Sequence, residues 1–496
     1  MSKGNETISI KALEAVRQIS EQLGPCPDLR IQSVTPDHRV VMVVCWLDGL
    51  VDDVRLQEAI LAMSRQLAHT RRRRFSSLPV VPGVATHMLG NVSEATKALL
   101  NGCAVVCWDG MDRAQAWHLV QWPARSIDRP ENEPTLNGPQ EAFVESLNLN
   151  LALLRKRLKT PELKVETYDL GIASQTTVVI LYHKAIAKEA LVHELRRRLE
   201  GVRVDYVADI NQIREFVNDP RFSLFPTSEE TERPERVIAA LMEGRVGLLV
   251  DGSPMCMLVP VTFAMNLSSP EDYYMHYTLA LPLRLLRHLM FWASVLLPAL
   301  YVALLTYNQD LIPTPLLMSV AAQHSGIPFP TVLEALGMMV AFEALREAGT
   351  RLPRAVGQSV SIVGTLVIGD AAVRAGLVSP GMVIIVSATG VASFTLPALG
   401  LVQAARLLQF PFVIAASFFG LYGVLMLGLA VVGRLASLRS FGVPYLSPVA
   451  PNVLGDMKDV VIRAPWWMMR TRPRQFEPRR RQRWGLSRPR TRRRRH

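Results

Sequence analysis

The sequence lacks the features that mark a secreted protein or a familiar enzyme. Its first 24 residues carry charges throughout and contain no apolar core of about 7 to 15 residues, so we expect no secretory signal and a cytosolic N-terminal half. Only five cysteines are present and none has zinc-ligand spacing, which fits a reducing compartment. No phosphate-binding loop, nucleophile elbow or metal-ligand cluster occurs. We therefore predict neither catalysis nor a cofactor.

Long apolar runs are absent from the first 280 residues. The apolar segments there are short, such as 40–47, 104–108 and 177–182, and this is the length of strands rather than of membrane spans. Helical patterns follow the first and third of these segments. The N-terminal half is therefore predicted to be an α/β region.

This α/β region contains a weak internal repeat. The first copy contains Leu56, Ile60, Asp109 and Gly110, and the corresponding residues of the second are Leu191, Leu195, Asp251 and Gly252. The Asp-Gly pairs are typical of turns. We predict two similar cytosolic subdomains, 1–135 and 136–280.

The composition changes after residue 280. Segments 289–309, 375–405 and 407–433 contain no charge, and 355–373 is interrupted only by Asp370. About 20 helical residues cross the hydrocarbon core, so these segments predict four spans within a transmembrane domain, 281–440. The proline-rich run 311–333 is interpreted as a short interfacial or re-entrant piece, and 331–347 as a separate, protein-buried helix. A five-span arrangement stays open.

The basic character of the chain belongs to its C-terminal tail. From Arg463 onwards there are 14 arginines and one acidic residue, Glu477, whereas the whole chain has a net charge of +12. We predict that 441–496 is a disordered, cytosolic basic tail attracted to membrane lipid, without specific nucleic-acid recognition. This tail, with Arg284 and Arg287 before the first span, predicts that both termini are cytosolic.

Ionisable residues inside the apolar half are the most informative feature, because a charge facing hydrocarbon costs several kcal/mol. The candidate pore or assembly residues are Glu334, Glu343, Arg346, Glu347, Arg351 and Asp370, with Arg354 close by. The candidate gating or packing residues are Pro328, Pro330, Gly364 and Gly369.

The helix 331–347 has two ionisable sides. Glu334 shares a face with Met338 and Leu345, whereas Glu343 and Glu347 lie nearly opposite. Glu343 can pair with nearby arginines in a buried network. Glu334 has no basic residue within a helical turn, so an ion path, a subunit contact and a structural role all stay open. Asp370 has a local partner four residues later, Arg374.

Several motifs resemble the A subunit of the GerA family of spore germination receptors. They are PFP at 328–330, E-x-L at 334–336, the EALREAGTRLP segment at 343–353, IVGTLVIGDAAV at 362–373 and SPGMVI at 379–384. Further matches, among them FPTSEETERPERV at 225–237 and DMKDVVIRAPWWMM at 456–469, extend the resemblance over most of the chain. Asp370 departs from the family pattern, where glutamine is commoner.

The resemblance implies a subunit of a nutrient-responsive receptor in the inner membrane of bacterial spores. The implied partners are a transporter-like B subunit, a lipoprotein C subunit and further copies of the same chain. It also implies an oligomeric cation channel with a cytosolic ring, in which 326–397 lines or gates the pore. Two alternatives remain open: a secondary ion-coupled transporter using Glu334 and Asp370, and a structural scaffold for a transporter-like partner.

Overall fold

The computed structural model describes residues 6–35, 41–69, 81, 83–121, 130, 133–219, 223–324, 326–351, 369–460 and 462–483. They form two compact units. The α/β unit comprises the described residues up to 219 together with 228–260 and 466–483. The helical unit comprises 223–227 and 261–465. These boundaries differ from the expected ones, because 261–280 and 441–465 join the helical unit and 466–483 join the α/β unit.

The first α/β subdomain is built on an antiparallel sheet with strand order β1-β2-β4-β5-β3. Its strands are β1 (Leu29–Val34), β2 (Met42–Leu47), β3 (Ala85–Leu89), β4 (Ala104–Trp108) and β5 (Ala114–His118). Its helices are α1 (Ala12–Leu23), α2 (Asp53–His69) and α3 (Val92–Leu100). Residues of β2 alternate between two hydrophobic clusters, one containing α1 and α3 residues and the other α2 residues. Burial on both faces explains why β2 is apolar throughout.

The second subdomain repeats this topology, with strand order β6-β7-β9-β10-β8. Its strands are β6 (Leu163–Leu170), β7 (Thr176–His183), β8 (Glu229–Thr231), β9 (Val246–Val250) and β10 (Cys256–Val259). Its helices are α4 (Leu147–Arg157), α5 (Glu189–Glu200), α6 (Ile210–Val217) and α7 (Pro234–Glu243). The predicted turns after β4 and β9 are present: Gly110 and Gly252 have φ of 88° and 87°, a conformation that favours glycine.

A fragment containing 6–260 is expected to fold without detergent, and one beginning at residue 30 is not. Ile19 and Leu23 of α1 are fully buried beside β2, so a later start uncovers one face of the first sheet. Far-ultraviolet circular dichroism during urea unfolding checks this. We expect one cooperative transition for 6–260 and aggregation for 30–260. Equal solubility and cooperativity of the two fragments would contradict the assignment of α1 to the core.

The helical unit contains two long helical segments, and the second of them is broken at Gly420. Its helices are α8 (Phe263–Asn266), α9 (Tyr277–Thr306), α10 (Thr314–His324), α11 (Thr331–Arg351), α12 (Pro380–Phe394) and α13 (Leu399–Ser437), and β11 (Arg439–Ser440) pairs with β12 (Val443–Pro444). By length and composition, α9 and α13 are the described helices that could cross a membrane; α12 is apolar but shorter. The predicted fold class, two similar α/β subdomains followed by a helical region, is confirmed.

The predicted spans need two corrections. The uncharged run 375–405 is not one helix, because it is divided between α12 and the start of α13. The run 407–433 is interrupted at Gly420, where φ is 57° and ψ is −141°. A Cβ on Gly423 would collide with the carbonyl oxygen of Ala415, about 12 Å away in an unbroken helix, so the chain bends sharply there. The prediction for 355–373 lies mostly outside the described residues.

The proline-rich run and the helix after it agree better with expectation. The short piece within 311–333 is α10, and the separate helix is α11, which extends to Arg351. However, α11 is not buried on all sides. One stripe of its residues is exposed: Leu333, Gly337, Val340, Ala344 and Glu347.

The arginine-rich tail also differs from the expected disorder over 470–483. Thr471 and Gln482 form a β-bridge, and Phe476 between them is buried. The guanidinium of Arg472 is buried and donates to the carbonyl oxygens of Met242, Arg480 and Gln482 at 2.6, 2.9 and 2.6 Å. We call 466–483 the C-terminal strap, because it closes back onto the α/β unit.

Candidate functional site

Glu334 of α11 is the most deeply buried of the candidate acids, with 2% of the residue exposed. Its Oε1 accepts hydrogen bonds from the backbone N–H and the hydroxyl of Ser379, both at 2.5 Å. Ser379 is the N-cap of α12, and its Oγ also accepts from the N–H of Met382 at 3.2 Å. The carboxylate therefore lies at a helix N-terminus, where the helix dipole stabilises negative charge.

An imidazole lies on the other side of this carboxylate. His324, the last residue of α10, has its Nε2 3.4 Å from Glu334 Oε2. Its Nδ1 lies 3.0 Å from the carbonyl oxygen of Val320, a contact that requires an N–H on Nδ1. Among the described residues, the buried His324 Nε2 and Glu334 Oε2 face each other without a hydrogen bond between them.

A fourth helix reaches the same place. A Cβ at Gly381 in α12 would lie 2.5 Å from the hydroxyl oxygen of Tyr301 in α9, so the missing side chain makes room for the phenol. Helices α9, α10, α11 and α12 thus meet around Glu334. We call Tyr301, His324, Glu334 and Ser379 the Glu334 cluster.

The statement that no basic residue lies within a helical turn of Glu334 holds for α11 itself. It considered neighbours on the same helix, whereas His324 comes from α10 and Ser379 from α12. No periodicity of α11 could have revealed these partners. The sequence contains one indication of the contact with His324: this residue and Glu334 lie on either side of a Gly-Ile-Pro segment, 326–328.

Glu343 belongs to a second polar cluster, also in the helical unit. It pairs with Arg406 of α13 through both carboxylate oxygens and lies 3.6 Å from Arg346. The expected pairing with Arg346 is present, but Arg406 was missed. Arg406 separates the two uncharged runs that had been interpreted as spans, and this isolation was a signal for a buried partner.

The guanidinium of Arg346 lies between two aromatic rings. Its Cζ is 5.1 Å from the ring centroid of Phe342 and 5.2 Å from that of Phe394, which are cation–π distances. A cavity of about 20 Å³ adjoins Arg346, Glu343 and Arg406, which is room for about one water molecule. This cluster can hold a hydrated ion pair but no larger ligand.

The other candidates lie outside these two clusters. Asp370 is half exposed and pairs with Arg374 at 2.8 Å, as the spacing suggested. Gly369 is helical, and Pro328 and Pro330 are exposed before α11. Arg351 ends α11 without a described side chain, and Arg354 and Gly364 lie outside the described residues. Within the described ranges, no three His, Cys, Asp or Glu residues are grouped to hold a metal ion.

Comparison with known proteins gives consistent matches over most of the sequence. Residues 17–475 match a family model described as Bacillus/Clostridium GerA spore germination protein. Spore germination protein KA of Bacillus subtilis is 39% identical over 94% of this chain and 87% of its own length. An uncharacterized membrane protein of the same organism, YfkQ, is 42% identical over 90% and 88%, respectively.

A solved structure is also similar to part of this chain. It is the crystal structure of the N-terminal domain of the A subunit of the Bacillus megaterium spore germinant receptor GerK3. It covers 53% of this chain and 99% of its own, with 24% identity and a TM-score of 0.42.

Proposed function

Because the chain belongs to the GerA family of spore germination proteins, we propose that it is the A subunit of a nutrient germinant receptor and that its copies form a cation channel that triggers germination. Several relatives are spore germination proteins by name, which supports the germination role. In this proposal the chain resides in the spore inner membrane with both termini cytosolic. It acts with a transporter-like B subunit and a lipoprotein C subunit.

The observation that carries the channel proposal is the Glu334 cluster. A carboxylate and an imidazole placed side by side among apolar helices are expensive to bury, and such groups in a membrane protein are usually functional. They also join the ends of three helices, since Glu334 is in the first turn of α11, Ser379 caps α12 and His324 ends α10. We propose that this cluster is an internal latch that fixes α12 and so controls the pore. Its burial within one chain fits a latch better than a pore lining.

The exposed stripe of α11 is the proposed pore or assembly face. Apart from its neighbours in the chain and the nearby backbone of α11, no heavy atom lies within 4 Å of the Cβ position of Gly337, so a neighbouring helix could approach closely there. Glu347 lies on the same stripe, toward the C-terminal end of α11. In an oligomer, several copies of Glu347 would form an acidic ring, which favours cations over anions.

The transporter alternative is less well supported. It requires Glu334 and Asp370 to serve as coupling-ion sites within one subunit. Asp370 is half exposed and already pairs with Arg374, whereas Glu334 is enclosed by α10 and α12. We therefore favour the channel.

Single-channel recording from the purified, reconstituted protein tests the proposal. We expect unitary cation currents, and a Glu347→Gln variant with lower unitary conductance and weaker cation selectivity, because the ring loses its charge. Asp310→Asn, which removes an exposed acid of the same unit, is the matched control and should conduct like the wild type. Saturable ion flux without unitary currents would favour the transporter. Absence of any flux would favour the scaffold.

A further inference from the structure

The C-terminal strap presents exposed apolar rings beside exposed arginines. Trp466, Trp467 and Met468 form one 3-10 turn with exposed fractions of 45%, 38% and 57%. The guanidinium Nε of Arg470 donates to the carbonyl oxygen of Trp467 at 3.4 Å, which places this cation against the turn. Large apolar side chains are seldom exposed in succession unless something covers them.

The part of the strap that follows the turn, 470–483, is held in place by hydrogen bonds and ion pairs. Arg472 N–H donates to Arg481 C=O at 2.7 Å, and Arg483 N–H to Arg470 C=O at 2.9 Å. The N–H of Arg479 donates to Ile186 C=O at 2.9 Å, which ties the strap to the segment before α5. Ion pairs of Lys188 with Glu477 and of Arg483 with Glu243 add further contacts.

The positive charge of the strap indicates that it can bind an anionic surface. Glu477 is its only acid and is already paired with Lys188, while Arg470, Arg480 and Arg481 are exposed. Arginine recognises phosphate through its planar donor fork. Tryptophan prefers the boundary between lipid headgroups and hydrocarbon, because one part of the indole is apolar and the other donates a hydrogen bond.

We propose that the Trp466–Met468 turn and the exposed arginines of the strap dock on the headgroup layer of an anionic membrane. The tryptophans and Met468 enter the interface, and Arg470, Arg480 and Arg481 bind lipid phosphates. The α/β unit is thereby tethered to the bilayer at this turn. The inference rests on the proposed membrane location, since Trp466 directly follows Pro465 at the end of the helical unit that contains α9 and α13.

Depth-dependent fluorescence quenching on the reconstituted full chain tests this docking. Vesicles of phosphatidylcholine, alone or mixed with phosphatidylglycerol, carry bromine on the upper acyl chain. The signal of the two tryptophans is the difference between the wild type and Trp466→Phe/Trp467→Phe. We expect this signal to be quenched in phosphatidylglycerol vesicles and to lose its quenching in 1 M salt, which screens surface charges.

Arginine variants identify the phosphate contacts. Arg470→Gln/Arg480→Gln/Arg481→Gln should lose the phosphatidylglycerol-dependent quenching. Arg17→Gln/Arg55→Gln removes two other exposed arginines of the α/β unit, with exposed fractions of 80% and 73%, and should keep it. Quenching that is equal in both vesicle types, or unchanged in the triple variant, would overturn the proposal. Inorganic polyphosphate should relieve the quenching more than sodium chloride of the same ionic strength, as expected for phosphate recognition.

Flotation after alkaline carbonate extraction separates this inference from the proposed function. A chain that does not remain with the vesicles would contradict the membrane location itself. A chain that remains, but whose Trp466 and Trp467 signal is unquenched, would contradict only the docking of the strap.

Discussion

Replacement of Glu334 by glutamine is expected to lower the germinant-evoked cation current, and with it the rate of germination, about tenfold. Glutamine keeps the shape and an acceptor oxygen for Ser379, but it removes the charge that faces His324 and the N-terminus of α12. Losing a charge-assisted contact at a buried site costs about 1–3 kcal/mol. Each 1.4 kcal/mol changes an equilibrium constant about tenfold. The equilibrium that governs the position of α12, and with it the pore, should therefore shift by roughly that factor.

The current, the germination rate and the amount of membrane-inserted protein should be measured together. Inserted protein should stay near wild type, because no cavity is created and the hydrogen bonds from Ser379 can persist. Asp310→Asn is again the matched control. Unchanged current and germination in Glu334→Gln would reduce Glu334 to ordinary packing.

A double-mutant cycle distinguishes a latch from a single important acid. His324→Gln removes the imidazole that faces Glu334, and it should lower the current in the same direction as Glu334→Gln. If the two side chains act together, the double variant should be little worse than either single variant, because contacting groups are not additive. Additive losses would mean that His324 and Glu334 act separately.

The largest stability loss in the α/β unit is expected for Arg155→Ala. Arg155 is 1% exposed, and its Nε and Nη2 donate to the carboxylate of Asp28 at 3.0 and 3.3 Å. Its Nη1 donates to the carbonyl oxygen of Leu163 at 3.2 Å, so one side chain joins the start of β1 to β6. Removing one partner of a buried ion pair leaves an uncompensated charge and costs about 3–5 kcal/mol.

Urea unfolding of the fragment 6–260 measures this cost, and Arg157→Ala is the matched control two residues away on α4. Arg157 pairs with Glu141 near the surface, with exposed fractions of 23% and 26%, so its loss should cost about 1 kcal/mol or less. In a fragment that also carries Asp28→Asn, Arg155→Ala should cost less than alone. A similar loss of unfolding free energy for both arginine variants would contradict the role of Arg155 in joining the start of β1 to β6.

The same pair gives the unit a predictable pH dependence. Burial acts to raise the pKa of Asp28, but the Arg155 guanidinium and hydrogen bonds from Arg155 and Cys26 outweigh it, so the pKa lies below its ordinary value. A depressed carboxyl pKa contributes stability above the unfolded value of about 3.9. That contribution should disappear as the pH falls below this value. Arg155→Ala should flatten this acid limb of the stability profile.

The sequence by itself determined those features that depend on local pattern and composition. Strand-length apolar runs and a repeated Asp-Gly turn predicted two subdomains of one topology, which β1 to β10 confirm. Proline placement predicted the separate helices α10 and α11. The four-residue spacing predicted the pair of Asp370 and Arg374. Each of these is decided by neighbours within a few residues or by a period of the chain.

Tertiary structure alone decided which distant groups meet. Arg155 lies in the basic end of α4, yet it is buried against Asp28, 127 residues away in sequence. Glu334 obtains its partners from α10 and α12, Glu343 obtains Arg406 from α13, and an arginine tail expected to be disordered packs through Arg472. A carboxylate or guanidinium has the same local signature whether water or another helix will surround it. Its partner is chosen by how the helices and sheets pack, since a buried charge is tolerated only where packing brings a compensating group to it.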